Sequence, residues 1–219
     1  MYSKEQNLRQ KVNNLQSKPT KSQHWEEIIS LARTLVIFVG IAVLLRGSVV
    51  EAFKIPSSSM EPTLQIGDHI LVNKLSYGLW YPLAKESVTM FSKPSRGDIV
   101  VFTRPDDPDT TDFDESDTNI IKRIIGVGGD TIYLKGMNLY VNGTPQEDEQ
   151  AIWLLSGIKD FGPITVPQGK VLLMGDNRDH SKDSRFWNDP FLDETRIKGR
   201  AFIIYWSFYS LKRIFNILR

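Results

Sequence analysis

The sequence predicts a mostly antiparallel, all-β domain carried behind one N-terminal transmembrane helix. From Phe53 onward the β-branched and aromatic runs stay short: His69 to Val72, Asp98 to Phe102, Lys122 to Val127, Thr131 to Leu134, Leu139 to Val141, Val171 to Met174 and Ala201 to Trp206. Gly, Pro and Asn separate them, the punctuation of strands joined by turns and not of βαβ units. Asn142-Gly143, following Leu-Tyr-Val, is a hairpin signal because the turn it forms needs two residues that tolerate positive φ. Ahead of all this, Thr34 to Leu45 is an uninterrupted apolar stretch between Arg33 and Arg46.

Taken in order, residues 1 to 27 are polar, with Lys4, Arg9, Lys11, Lys18 and Lys21 set against Glu5, Glu26 and Glu27, and Pro19 interrupting any long helix. They read as a mobile tail. Twelve apolar residues rise only about 18 Å as a helix, short of a hydrocarbon core of about 30 Å. Extending the segment to Ile28 through Val50 supplies the length, with Arg33 and Arg46 reaching toward opposite interfaces. A buried core helix and a cleaved leader, with Val50-Glu51-Ala52 as the processing site, are the competing readings. The leader requires a polar region of more than thirty residues before its apolar part, too long for the usual pattern. The excess of lysine and arginine in the tail places it in the cytoplasm and residues 51–219 outside. Within that domain, a small inserted β subdomain is expected at about 131–170.

A chain of 219 residues has room for the anchor and one domain with a sizeable core. Its formal net charge of +1 gives no basis for nucleic-acid binding. The absence of cysteine excludes disulfides, thiol nucleophiles and thiolate metal sites. Residues 106–117 hold seven carboxylates in twelve positions but lack the central glycine and closing glutamate of a calcium loop, so they read as a solvated surface loop. Neither a metal nor a cofactor is expected. Oligomeric state is not legible.

Ser59 lies in Pro56-Ser57-Ser58-Ser59-Met60-Glu61-Pro62-Thr63-Leu64, and Lys122 in Asn119-Ile120-Ile121-Lys122-Arg123. A serine hydroxyl needs a base beside it, and a lysine serves when burial disfavours its charged form. Isoleucines on its N-terminal side give Lys122 such surroundings. The blocks PSSSMEPTL, RGDIVVF (Arg96 to Phe102), IKRIIGVGGD (Ile121 to Asp130) and GDNRDHSKDSR (Gly175 to Arg185) occur in this order, and through them the chain resembles type I signal peptidases from about Phe53 to Trp187.

The resemblance implies a catalytic core like that of signal peptidases and self-cleaving repressors, with Ser59 as nucleophile and Lys122 as general base. It implies that Ser181 hydrogen-bonds and orients Lys122. Ser57 would complete an oxyanion hole with the Ser59 backbone N–H, and Asp183 with Arg185 would form a supporting ion pair. Phe53, Ile55, Met60 and Ile121 match positions lining shallow pockets for small residues at −1 and −3 of a preprotein. Plain core packing is the alternative for each of the four. His180 stands where the family usually has Asn, and Gly128 where a Gly-x-Pro-Gly-Asp turn has proline.

The activity implied is removal of signal peptides from exported preproteins at the bacterial cytoplasmic membrane. Leu79-Trp80-Tyr81-Pro82 and Ser210 to Arg219 are candidate contacts with membrane lipid. Two other readings compete. A self-cleaving repressor would carry a DNA-binding helix-turn-helix in place of the anchor, and none is readable. An inactive membrane-anchored β-domain that only binds exported segments would not need the set Ser59, Lys122, Ser57, Asp183 and Arg185.

Overall fold

The structure, a computed structural model, describes residue 6 and residues 21–80, 87–90, 92–103, 119–153 and 160–218, with backbone alone for 21–24, 41–48, 79–80 and 87–90. The acidic segment 106–117 and Tyr81-Pro82 lie outside these residues. The chain divides into two compact units, 1–45 and 46–219.

Helix α1 (Lys21–Ser48) accounts for most of the described part of the first unit. It begins ahead of the expected Ile28, because residues 21–27 contain no helix breaker and Pro19 lies just before them. It ends at Ser48 and not at Val50, which instead opens the first strand. Among the described residues no helix is long and apolar enough to cross a membrane, and the side chains of 41–48 fall outside that set. Those that are described are open: Leu35, Val36, Ile37, Phe38 and Val39 are all more than half exposed.

The second unit is β. Its strands are β1 (Val50–Lys54), β2 (Asp68–Asn73), β3 (Gly78–Trp80), β4 (Ser87–Met90), β5 (Ile99–Thr103), β6 (Asn119–Val127), β7 (Thr131–Lys135), β8 (Asn138–Val141), β9 (Thr144–Gln146), β10 (Phe161–Thr165), β11 (Lys170–Met174), β12 (Phe191–Asp193), β13 (Ile197–Ser207) and β14 (Asn216–Ile217). Eight form one sheet in the order β1-β2-β13-β5-β6-β11-β12, with β14 also pairing β13, and every pairing is antiparallel. A four-stranded sheet, β10-β7-β8-β9, is built from residues between β6 and β11, and β3 pairs with β4. Each apolar run read from the sequence lies in a strand, except that Asp98 immediately precedes β5.

Alternation along β5 explains why the large sheet is covered on both faces. Ile99 and Val101 join one apolar cluster with Ile55, Met60, Leu64, Ile70 and Ile121, while Val100 and Phe102 join another with Ile124, Val171 and Leu173. A bulge interrupts the period on β6, where Leu172 faces Gly126 but Leu173 faces Ile124. The extra residue, Ile125, goes to a third cluster with Leu172, Met174 and the inward side chains of the small sheet.

Asn142-Gly143 connects β8 to β9 as a two-residue turn with φ of +54° and +79°. Asn142 also accepts a hydrogen bond from Thr131 N–H at 2.8 Å and donates to Asp130 at 2.9 Å. Asn142-Gly143-Thr144, formally a glycosylation sequence, is thus a turn with structural work for its asparagine. Gly128, the departure from proline, faces the 167–168 loop so closely that a Cβ would meet Gln168 Cα at 2.9 Å.

Asn142→Ala should lower the unfolding free energy by about 1–3 kcal/mol, through the two lost bonds and a non-glycine residue at positive φ. Asn142→Gly should recover the backbone part alone, and chemical denaturation of the two variants checks the partition.

Candidate active site

Ser59 is the middle residue of a single 3-10 turn, Ser58–Met60, separated by three residues from the end of β1. The leading N–H groups of such a turn lack partners within it. Ser57 precedes the turn in extended conformation and does not cap it. Its hydroxyl instead lies 3.3 Å from Ser59 Oγ. The Ser59 carbonyl accepts from Asn177 N–H at 3.1 Å, tying the turn to the loop after β11.

Lys122 is delivered by β6, paired with Val100 of β5 in the middle of the large sheet. Its side chain is 4% exposed, and Nζ donates to Ser59 Oγ at 2.8 Å and to the Ile121 carbonyl at 2.9 Å. Burial pushes the amine down from its usual 10.5 to about 8, although Asp183 and Asp176 each pull it part of the way back. The two residues singled out across 63 positions of sequence are therefore in direct contact.

Asp183 is fully buried and pairs with Arg185 through two bonds of 2.8 and 2.9 Å. It also accepts from Gly175 N–H at 2.9 Å. Gly175 is hemmed in: a Cβ there would stand 2.3 Å from Ser181 Oγ and 2.4 Å from the Ser59 carbonyl. Ser181 differs from expectation. Its Oγ is buried beside Gly175 without a hydrogen-bond partner among the described residues, and the bonds of Lys122 go to Ser59 and the backbone.

Ile55, Met60 and Ile121 belong to one core cluster and are 2%, 0% and 9% exposed, whereas Phe53 packs on that cluster half-buried. A pocket at these positions would have the first three as its floor and Phe53 at its rim. His180 is exposed, with Nδ1 3.5 Å from the Asn177 amide, and His69 is half-buried against Tyr205 and Phe208. Neither joins the serine and lysine.

A second layer of charged groups has no counterpart in the sequence reading. Arg123 grips Asp176 through bonds of 2.8 Å at both carboxylate oxygens, and Thr63 Oγ1 donates to the same carboxylate at 2.6 Å. Arg178, with 1% exposure, holds the Gly175 carbonyl at 3.1 Å and pairs with Asp148. Arg213 pairs with fully buried Asp68 at 2.6 Å. Partners 30 to 145 positions apart leave no local pattern to read; the signal available was only charge inside apolar strands, as in Ile-Lys-Arg-Ile-Ile. Among the described residues no group of acidic or histidine side chains is arranged to hold a metal ion.

The arrangement is that of a serine hydroxyl with a buried amine at hydrogen-bond distance. Relatives share much of the chain. A Pseudomonas aeruginosa protein named signal peptidase I is 37% identical over 76% of this chain and 68% of its own length. A probable signal peptidase I-2 of Synechocystis is 38% identical, over 87% of this chain and 78% of its own. A signal peptidase I of Bacillus licheniformis is 31% identical, over 83% and 90%. The family model described as signal peptidase, peptidase S26, matches residues 28–206, a span that includes α1 from Ile28 onward, the Ser59 turn, Lys122 and the 175–185 loop, so the chain belongs to the S26 family of signal peptidases.

Proposed function

We propose that this chain is a membrane-bound serine endopeptidase that removes signal peptides from exported preproteins, using Ser59 and Lys122. The observation carrying this reading is the 2.8 Å contact between Ser59 Oγ and a buried amine depressed to about 8. A domain that merely bound exported segments would gain nothing from holding a lysine in this unfavourable state.

In the proposed cycle, neutral Lys122 takes the hydroxyl proton as Ser59 Oγ attacks the scissile carbonyl. The Ser59 N–H and the Ser57 hydroxyl, turned from its neighbour, donate to the resulting oxyanion. Lys122 then protonates the departing amine, leaving an ester on Ser59. Water, deprotonated by Lys122, cleaves that ester and restores the hydroxyl. Asp183 and Arg185 support the site through Gly175, and Ser181 fills the space behind it. No cofactor or metal has a part in these steps.

The proposed organisation is a cytoplasmic tail, 1–27, an anchor within 28–50, and an extracytoplasmic catalytic domain, 51–219, in which the four-stranded sheet is an insertion. Exposed apolar side chains on α1 support lipid as their surroundings. The C-terminal segment supports contact of the catalytic unit with lipid, since Phe208, Tyr209, Leu211, Phe215 and Ile217 are each at least two-thirds exposed.

Ser59→Ala and Lys122→Ala should each reduce preprotein cleavage by about 10³-fold or more, with the double variant little worse because the pair works as a unit. For the wild type, kcat/KM should rise with pH and level off above an apparent pKa near 8. Burial lowers the lysine in the folded state, so the unfolded chain binds this proton more tightly between about 8 and 10.5; stability contributed at this site therefore rises with pH over that window. Lys122→Met should abolish this rise. Substantial turnover by Lys122→Ala would reject the dyad.

Alternate residues of an extended strand face one way, so −1 and −3 of the preprotein enter the site together and −2 points out. A floor of packed Ile55, Met60 and Ile121 should accept Ala at −1 and −3 and refuse larger or charged side chains. Single replacements at −1, −2 and −3, compared by kcat/KM, check this; stricter selection at −2 than at −1 would contradict it.

Protease added outside sealed spheroplasts should digest the domain after Phe53 and spare the tail. A mature N-terminus at Phe53 would instead indicate a cleaved leader.

A further inference from the structure

The C-terminal segment is more than an apolar rim. Between Leu211 and Phe215, both about three-quarters exposed, Arg213 turns inward and is only 17% exposed. One of its nitrogens, Nη2, bonds both Asp68 Oδ2 at 2.6 Å and the Thr63 carbonyl at 2.8 Å, while Nε lies 3.1 Å from the same carboxylate oxygen. Asp68 is fully buried and also accepts from Gln65 N–H at 2.9 Å. Both groups that Arg213 holds thus belong to the stretch leading away from Ser59.

Thr63 continues the chain of contacts. Its hydroxyl donates to Asp176 at 2.6 Å, and Asp176 is gripped at both oxygens by Arg123, the residue after Lys122. Glu61 N–H closes the Ser59 turn on the Ser58 carbonyl at 3.0 Å, and Leu64 N–H, next to Thr63, bonds the carbonyl of its last residue, Met60, at 2.8 Å. A path of short polar contacts therefore runs from the C-terminal segment to the flanks of both proposed catalytic residues. Placing a nucleophile only 1 Å away from its working position can cost about 10²-fold in rate.

We infer that Arg213 is a positioning residue: by bridging Asp68 to the Thr63 carbonyl it fixes the Ser59 turn against Lys122, so that proteolysis depends on how the C-terminal segment is seated. The inference rests on the peptidase activity proposed above. Arg213→Lys separates this role from simple stability, because an ammonium keeps the charge pair with Asp68 but cannot reproduce the two-armed geometry of a guanidinium. Full-length Arg213→Lys should retain a Tm close to that of the wild type, lose about 10-fold or more in kcat, and leave KM nearly unchanged. Thr63→Val interrupts the same path, so adding it to Arg213→Lys should lower kcat by less than the product of the single effects.

Hydrogen exchange gives a measure that needs no activity: amides of residues 57–64 should exchange faster in Arg213→Lys while those of β5 and β6 do not. Cleavage by the wild type tests the proposed activity; the exchange and kcat comparisons test the clamp. Wild-type kcat in Arg213→Lys, a loss confined to KM, strictly multiplicative effects with Thr63→Val, or unchanged exchange across 57–64 would each overturn it.

Discussion

Desolvating the Lys122 ammonium is unfavourable, and the surroundings of the site can be understood as the means of sustaining that cost without ejecting the side chain or fully stabilising its charge. Six consecutive buried residues of β6, Ile121 to Gly126, hold the lysine in the sheet interior. Carboxylates are near enough to moderate the shift, yet each is occupied by an arginine of its own: Asp183 by Arg185 and Asp176 by Arg123. Were either carboxylate to pair directly with Lys122, the amine would be held charged and unable to accept a proton. The arginines therefore matter as much for what they prevent as for what they bind.

This arrangement also accounts for the demand on small residues nearby. The Ser59 carbonyl, Ser181 and the 175–177 backbone crowd one another so closely that Gly175 has no space for a side chain. Such contact excludes water from the amine, which keeps its neutral form accessible near physiological pH. The Ser181 hydroxyl, which has no partner among the described residues, is consistent with a space shaped first by packing. A buried polar group without a partner is costly, and here it is confined to the space between Gly175 and the Ser59 carbonyl.

Strands were legible where apolar alternation ends in a turn signal, and Asn142-Gly143 set a hairpin correctly because the two residues alone determine its backbone. From sequence Val50 reads as part of the anchor, since β-branched residues at a boundary suit either a lipid-facing helix or a strand. Pairing with Asn73 decides it, and that partner lies 23 positions away. The serine and the lysine could be named from ordered blocks of sequence. Their environment could not: Arg123 with Asp176, Arg178 with Asp148 and Arg213 with Asp68 are long-range pairs, and the sequence offers many acids for each base. Ile55 and Met60 could be read equally as core or as pocket because a pocket floor and a core share the same chemistry.

The small sheet leaves from the end of β6 and returns at the start of β11, two strands that are already hydrogen-bonded neighbours. Its length is therefore nearly independent of the register that fixes Lys122, and lengthening or shortening a closed excursion changes chain entropy only slowly. What limits the freedom of this module is its underside. Ile125, Leu172 and Met174 are buried by its apolar face, and Asp148 reaches from beyond β9 to Arg178. A homologous chain that replaced the excursion with a tight turn would have to make those three positions polar and find Arg178 another carboxylate. Size variation at this point should thus be accompanied by coordinated change at four residues that lie outside the segment being gained or lost.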